Sequence, residues 1–339
     1  MPNKDKMNGL VLQPGCGTDL GTMNVLSARK SSDGIVTKRI RDVFLDFPIT
    51  AKKMLKMGNT QFVERGDEIL VLGDAALEMA NVFGRVARRP LSGGLISPSE
   101  TDSLEVLGLL VKNVLGEPLV PGETCYYSVP APPIDQPGKD IVYHREVFRR
   151  IIQECGYTAH PANEAMAIIF SETAKENFSG LSISFGAGMT NCALSVNTME
   201  GLSFSVARSG DWIDSGAANS VGSTQARICA IKEAGVDLNK PAGREQEAIV
   251  FYYRAMVEYA LDHIASEFDK IRSRFALPSP IPMVVSGGTA LAGGFLDFFT
   301  QVFEAKRKRF PIPISEIRMA KDPLNAVAYG LLIQALQEE

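Results

Sequence analysis

Two short stretches combine glycine, hydroxyl and carboxylate residues in a pattern suited to holding a phosphate. The first is Gly17-Thr18-Asp19-Leu20-Gly21-Thr22-Met23-Asn24, leading into an apolar run at Val25–Arg29. The second, about 165 residues later, is Ser182-Ile183-Ser184-Phe185-Gly186-Ala187-Gly188-Met189-Thr190-Asn191, leading into Cys192–Val196. A tight turn of small residues lets backbone N–H groups approach phosphate oxygens, which a β-carbon would block. Thr22 and Thr190 offer further donors. Asp19, at a strand end, can orient water around Mg²⁺, a cation that keeps several of its own waters. Either turn by itself also fits an ordinary β-hairpin. The matched pair reads as a diverged internal duplication: two similar lobes, each offering a glycine hairpin to a shared cleft.

Two more segments carry possible chemistry. Ile281–Ser286 reads as a buried strand running into Gly287-Gly288-Thr289, then a helix. A double glycine there lets a ring or ribose pack on backbone; it also fits a plain strand-to-helix turn. Glu164, in Asn163-Glu164-Ala165-Met166-Ala167, opens an apolar helix. It could orient an attacking water, or simply place a favourable charge at a helix N-terminus.

The elements that must position these groups alternate. Val25–Arg29, Val43–Phe47 and Glu68–Leu72 read as strands. Asp74–Phe83 reads as a helix, as does Ser99–Leu115, capped by Ser99 or Thr101 and interrupted by Gly108. Arg145–Cys155 predicts a helix ending at Gly156, and Arg244–Phe275 a longer one ending before Pro278. Pro14 and Gly15 interrupt the strand before Asp19. The alternation implies an α/β architecture.

Composition narrows the function classes. The 339 residues are 45% hydrophobic, which fits about two domains. A net charge of −4 gives no footprint for nucleic acid. The basic clusters at Arg85–Arg89 and Lys306–Arg309 read as solvated faces or partner contacts. The five cysteines are scattered and form no C-x-x-C pair, which points to reduced thiols in a cytoplasmic compartment. Met1–Asn8 is polar, no secretory leader follows it, and no apolar run reaches membrane-spanning length. His160 and His263 read as structural, and Trp212 with Tyr252, Tyr253 and Tyr259 as core.

Taken in order, these pieces resemble the actin, DnaK-type chaperone and sugar kinase superfamily. Gly17–Asn24 is similar to its first phosphate motif, Ser184–Asn191 to its second, and Val285–Gly294 to its adenosine motif. Val129-Pro130-Ala131 and Asn163-Glu164 resemble the connecting region, and Asp322–Gly330 the closing helix. The resemblance is strongest to MreB-type bacterial actins, through Leu72–Ile96 and Ser209-Gly210-Asp211-Trp212-Ile213-Asp214. It implies an actin-like two-lobed fold built from duplicated ribonuclease H-like domains. Lobe I would comprise residues 1–160 plus 324–339, with a small subdomain inserted at about 34–70. Lobe II would comprise residues 161–323, with an insert at about 236–279.

The resemblance also implies a nucleotide site for ATP or ADP with Mg²⁺. Asp19 would position the metal, and Glu164 would polarise the attacking water. Gly17, Gly21, Thr22 and Asn24 would line the phosphates from one side. Ser184, Gly186, Ala187, Gly188 and Thr190 would line them from the other. Gly210, Gly287, Gly288 and Thr289 would hold the nucleoside, with Lys232 a further candidate. One departure stands out: the second phosphate motif usually begins with Asp, and here it begins with Ser184. Losing a preorganised charge of that kind costs about 3 kcal/mol at the transition state, about 100-fold in rate.

The leading reading is an ATP-binding cytoskeletal protein that assembles into filaments through head-to-tail contacts. A second is a non-polymerising nucleotide switch that docks a cytoplasmic protein. A third is a small-molecule kinase, whose base would come from Asp135, Asp140 or His144 in the proline-rich insert after Pro130. That insert also reads as a solvated loop.

Overall fold

A computed structural model of the chain describes residues 11–338, apart from 59, 61, 274, 276 and 278. Met1–Asn8 and Pro278 therefore lie outside the described residues. The first glycine motif is the tip of a hairpin between β1 (Leu12–Leu20) and β2 (Asn24–Ser31). Pro14 and Gly15 fall where the register shifts between Leu12 and Cys16, and Gly15 takes φ +99°. A proline without an N–H and a glycine in left-handed backbone are both accommodated by such an irregularity. β3 (Gly34–Arg41) pairs antiparallel with β2. On the other side of β1, β9 (Thr124–Val129) and β10 (Thr158–Asn163) add parallel strands. The sheet order is β10-β9-β1-β2-β3.

The second glycine motif repeats this plan. β11 (Gly180–Phe185) and β12 (Thr190–Val196) form the hairpin, and β13 (Met199–Val206) pairs antiparallel with β12. β14 (Ile281–Ser286) and β15 (Ile314–Met319) continue in parallel from β11. The order β13-β12-β11-β14-β15 repeats the topology of the first sheet strand for strand. The duplication expected from two hairpins is thus a duplication of whole sheets, one in each lobe.

A small sheet of β4 (Phe44–Pro48), β6 (Glu68–Leu72) and β5 (Phe62–Arg65) carries α1 (Lys52–Met57) and α2 (Asp74–Phe83) around its own core. It starts near residue 43 rather than 34, because the whole of β3 is bonded into the lobe I sheet. A short hairpin, β7 (Leu91–Ser92) and β8 (Leu95–Ile96), follows. Helices α3 (Ser103–Leu115) and α4 (Val142–Glu154) bury apolar faces against the first sheet. The main lobe II core holds α6 (Gly210–Val221), α7 (Gln225–Glu233), α8 (Gly243–Ile271) and α9 (Phe295–Lys306).

Some boundaries differ from expectation. α3 starts at Ser103 with Asp102 as its cap residue, not Ser99 or Thr101. α4 starts three residues early because the Asp140 carboxylate accepts the Val142 N–H at 2.8 Å. α8 ends at Ile271, and the turn after Gly287 is a short 3₁₀ segment, so the helix beyond it begins only at Phe295. The insert after Pro130 is the largely exposed loop expected, but it is fastened at its start to lobe II. Pro132 O accepts from the N–H of buried Ser205 on the edge strand β13, and Ile134 N–H donates to Ser205 O, satisfying both backbone groups of that residue.

Two helices cross between the sheets, α5 (Glu164–Glu172) and α10 (Ala326–Gln337). Their contact depends on Gly330, where a β-carbon would lie 1.7 Å from the Ala167 carbonyl oxygen. Backbone cannot yield as a flexible side chain can. Gly330→Ala is therefore expected to lower stability by about 3 kcal/mol. Gly108→Ala, in α3 with no atom within 4 Å of the new methyl, should raise it by about 1 kcal/mol. Chemical denaturation of the two variants checks the contrast.

Candidate functional site

The two hairpin turns meet across a cleft between the lobes. A β-carbon on Gly188 would sit 2.2 Å from the Gly94 nitrogen and 2.3 Å from Thr22 Oγ1, so the turns are in van der Waals contact. Both close by the same internal bond: Gly21 N–H donates to Asn24 O and Gly186 N–H to Met189 O, each at 3.0 Å. The N–H groups of Thr22, Met23, Ala187 and Gly188 have no partner among the described residues. Beside them opens a cavity of about 530 Å³, lined by residues of both lobes. Unpaired amides in paired glycine turns make an anion cradle.

Two carboxylates stand at its floor. Asp19 ends β1, and Ser128 Oγ donates to its Oδ1 at 2.9 Å. Glu164 opens α5, whose first N–H groups are capped by the Asn163 side chain. Ser184 Oγ donates to Glu164 Oε1 at 2.8 Å, and Asn191 Nδ2 to Oε2 at 2.9 Å. Burial, with the nearby Asp19 charge, pushes the Glu164 carboxyl up to about 8. Burial likewise raises Asp19 to about 6, against the pull of the Ser128 hydrogen bond. Two like charges in one cleft favour holding a proton or recruiting a cation. No group of three or more His, Cys, Asp or Glu side chains forms a metal cage among the described residues. This donor set fits Mg²⁺, which binds through one or two carboxylates while waters and phosphate oxygens complete its shell.

Beside the second turn, the cavity wall is built from glycine and hydroxyl groups. Gly287 takes φ +96°, and a β-carbon there would lie 2.4 Å from the Phe185 carbonyl oxygen. Thr289 Oγ1 donates to Gly186 O at 2.8 Å, and Gly210 N–H donates to the same oxygen at 3.0 Å. Lys232 Nζ lies 2.8 Å from Asp214 Oδ1 and donates to Gly210 O at 3.0 Å, bracing the wall. Two ion pairs span the mouth between lobes. Arg89 contacts both Asp211 oxygens at 3.0 Å, and Arg41 reaches Glu233 at 2.9 Å.

Of the residues singled out from sequence, Asp19, Gly21, Thr22, Asn24, Glu164, Ser184, Gly186, Ala187, Gly188, Gly210, Gly287, Gly288 and Thr289 all line this cavity. Two do not. Gly17 is glycine because α10 crosses it: a β-carbon would lie 2.3 Å from Ala328 O and Leu332 N. Thr190 is fully buried, and its hydroxyl donates inward to Arg208 O at 2.8 Å. Asn191, Asp211 and Arg89 were not assigned to the site from sequence. Asn191 stood inside the second motif, and its amide was the available signal. Arg89 and Asp211 are 122 residues apart and meet only in the fold.

The acid–base candidates of the insert lie elsewhere. Asp135 accepts the Ala207 N–H and the Tyr259 hydroxyl, and Asp140 caps α4. His144 is buried with both ring nitrogens unpartnered among the described residues, and burial lowers it to about 4. None of the three lines the cleft.

No curated protein matches the chain. Among solved structures, the subunit of the MamK double helical filament superposes with TM-score 0.71 at 20% identity, covering 96% of this chain and 98% of that one. MreB 5 of Spiroplasma citri bound to AMPPNP gives 0.66 at 18%, covering 96% and 97%. The ethanolamine utilization protein EutJ of Carboxydothermus hydrogenoformans gives 0.55 at 15%, covering 95% and 92%. At these identities the likeness establishes the actin-like fold. The sequence model of one family, Volactin, matches residues 15–335. Duplicated sheets, opposed hairpins and a match over nearly the whole length agree: the chain belongs to the Volactin family.

Proposed function

We propose that this protein is a cytoskeletal filament former that binds ATP with Mg²⁺ in the interlobe cleft. The observation that carries the reading is the facing pair of glycine turns, each leaving unpaired amides beside one cavity. Bound Mg²⁺ would neutralise phosphate charge. Asp19 orients its waters, Glu164 holds and orients the attacking water, and the two turns grip the phosphates. Gly287, Gly288 and Gly210 offer bare backbone to the nucleoside. Because Ser184 replaces a carboxylate, hydrolysis is slow. Self-association is supported by the whole-length likeness to the MamK filament subunit. Residues 1–160 with 324–339 and residues 161–323 act as the two moving lobes, and the compartment is cytoplasmic.

High-speed pelleting tests the reading: the chain should sediment with ATP and Mg²⁺ and stay in the supernatant with neither. A chain that binds ATP but never sediments would be the nucleotide switch instead. The kinase reading is less well supported, since none of Asp135, Asp140 and His144 lines the interlobe cavity. The ion pairs at the cleft mouth carry a further expectation. Arg89→Ala removes a two-oxygen, partly buried contact across the lobes, worth about 1 kcal/mol. Nucleotide release, followed by stopped-flow fluorescence, should quicken about fivefold.

A further inference from the structure

The cleft floor contains a linkage between catalytic alignment and lobe position. Ser184 and Asn191 are cross-strand neighbours where β11 and β12 meet, and both are almost fully buried. Each gives one neutral donor to one oxygen of Glu164. The Asn191 amide cannot be turned around. Its Oδ1 accepts the Ala131 N–H at 3.2 Å, a backbone N–H only donates, and so Nδ2 must face Glu164. Ala131 follows the end of β9 in lobe I. The residues just beyond it are bonded to lobe II: Pro132 O accepts from Ser205, and Ile134 N–H donates to Ser205 O. Ser205 Oγ also donates to Ala131 O at 2.8 Å. This strap therefore bridges the lobes, and Asn191 joins it to Glu164.

We propose that Asn191 is a positioning residue that sets the Glu164 carboxylate according to the strap, so that closing the lobes and aligning the water are one event. The proposal rests on the reading of Glu164 as the water-orienting group. At 3.2 Å the Ala131 bond is the longest of the three around this amide and carboxylate, at the far end of the normal range. By length it is the weakest of the three, and the one that a shift of the strap would release most readily. A released amide can swing its oxygen toward Glu164, setting two acceptors against each other. Misplacing a reacting group by about 1 Å lowers rates about 100-fold.

The test separates the two halves of the linkage. Asn191→Asp keeps an acceptor for Ala131 but removes the donor to Glu164. Ala131→Pro removes the N–H and keeps Asn191. Single-turnover phosphate release at saturating ATP should fall about 10–100-fold in N191D, N191A and A131P, with ATP affinity within threefold of wild type. The N191A/A131P double variant should be no slower than N191A. In the protein without nucleotide, hydrogen exchange at the Ala131 amide should quicken in N191A and stay slow in N191D. Ser205→Ala, which loosens the strap, stands in if A131P does not fold, with the same non-additivity expected. Wild-type turnover in N191A, additive losses in the double variant, or affinity lost in step with rate would overturn the proposal. Wild-type protein that binds no ATP would instead remove the nucleotide reading beneath it.

Discussion

Glu164→Gln should leave ATP bound with near wild-type affinity while phosphate release falls about 10²–10³-fold. A glutamine keeps the size of the side chain and can still meet Ser184 Oγ, but it cannot take a proton from water or stabilise the charge that develops. If filaments assemble on ATP binding, this variant should assemble normally and disassemble slowly. A release assay and a sedimentation time course check the two halves. The substitution has a second consequence in the protein without nucleotide. Glu164 is raised to about 8 and Asp19 to about 6, so the folded state holds protons that the unfolded chain gives up near pH 4. These two groups then take away stability as pH rises from about 4 through 8, because the unfolded state binds fewer protons at them over that span, while buried His144, lowered from 6.5 to about 4, acts in the opposite sense below about pH 6.5. Removing Glu164 should flatten the upper part of that decline. Thermal melts between pH 6 and 9 would show it, and added Mg²⁺ should reduce the decline in wild type.

The other large effect is expected at Gly188. Gly188→Val should cut ATP affinity at least 100-fold with the fold intact. Its first added carbon would meet the Gly94 backbone nitrogen at 2.2 Å and Thr22 Oγ1 at 2.3 Å, so the turns must part. Parting them separates the amides that are to grip one phosphate chain. Both lobes have cores of their own beneath the hairpins, so the melting temperature should change little. An equilibrium titration with a fluorescent ATP analogue and a melt on the same sample distinguish a lost site from a lost fold.

Much of this was legible in the residue order. β6 and α2 fall where apolar patterning puts them, because each buries a local stripe set by its own sequence. The paired hairpins were legible for a different reason: few residue types can make a turn that exposes its amides. What escaped the sequence was set by contacts between distant segments. Gly17 looks like a phosphate-loop glycine, yet its neighbour is α10, more than 300 residues away. Thr190 lies on β12, which is buried on both faces, so alternation could not tell that its hydroxyl is spent on Arg208 O rather than turned to the cavity. The proline-rich insert reads as a loop because prolines do not continue strands. Its backbone bonds are supplied by Ser205, which no local pattern predicts. In the sequence Ser184 reads as a phosphate-lining residue that lacks the usual carboxylate. In the fold it is a donor to Glu164, paired with Asn191 in the same task.

The most direct measurement is a crystal structure of the chain with AMPPNP and Mg²⁺. The account predicts phosphate oxygens within hydrogen-bonding distance of backbone N–H groups from both Thr22–Met23 and Ala187–Gly188, with the metal's waters against Asp19. A nucleotide held by one turn only, or seated outside the interlobe cavity, would contradict it.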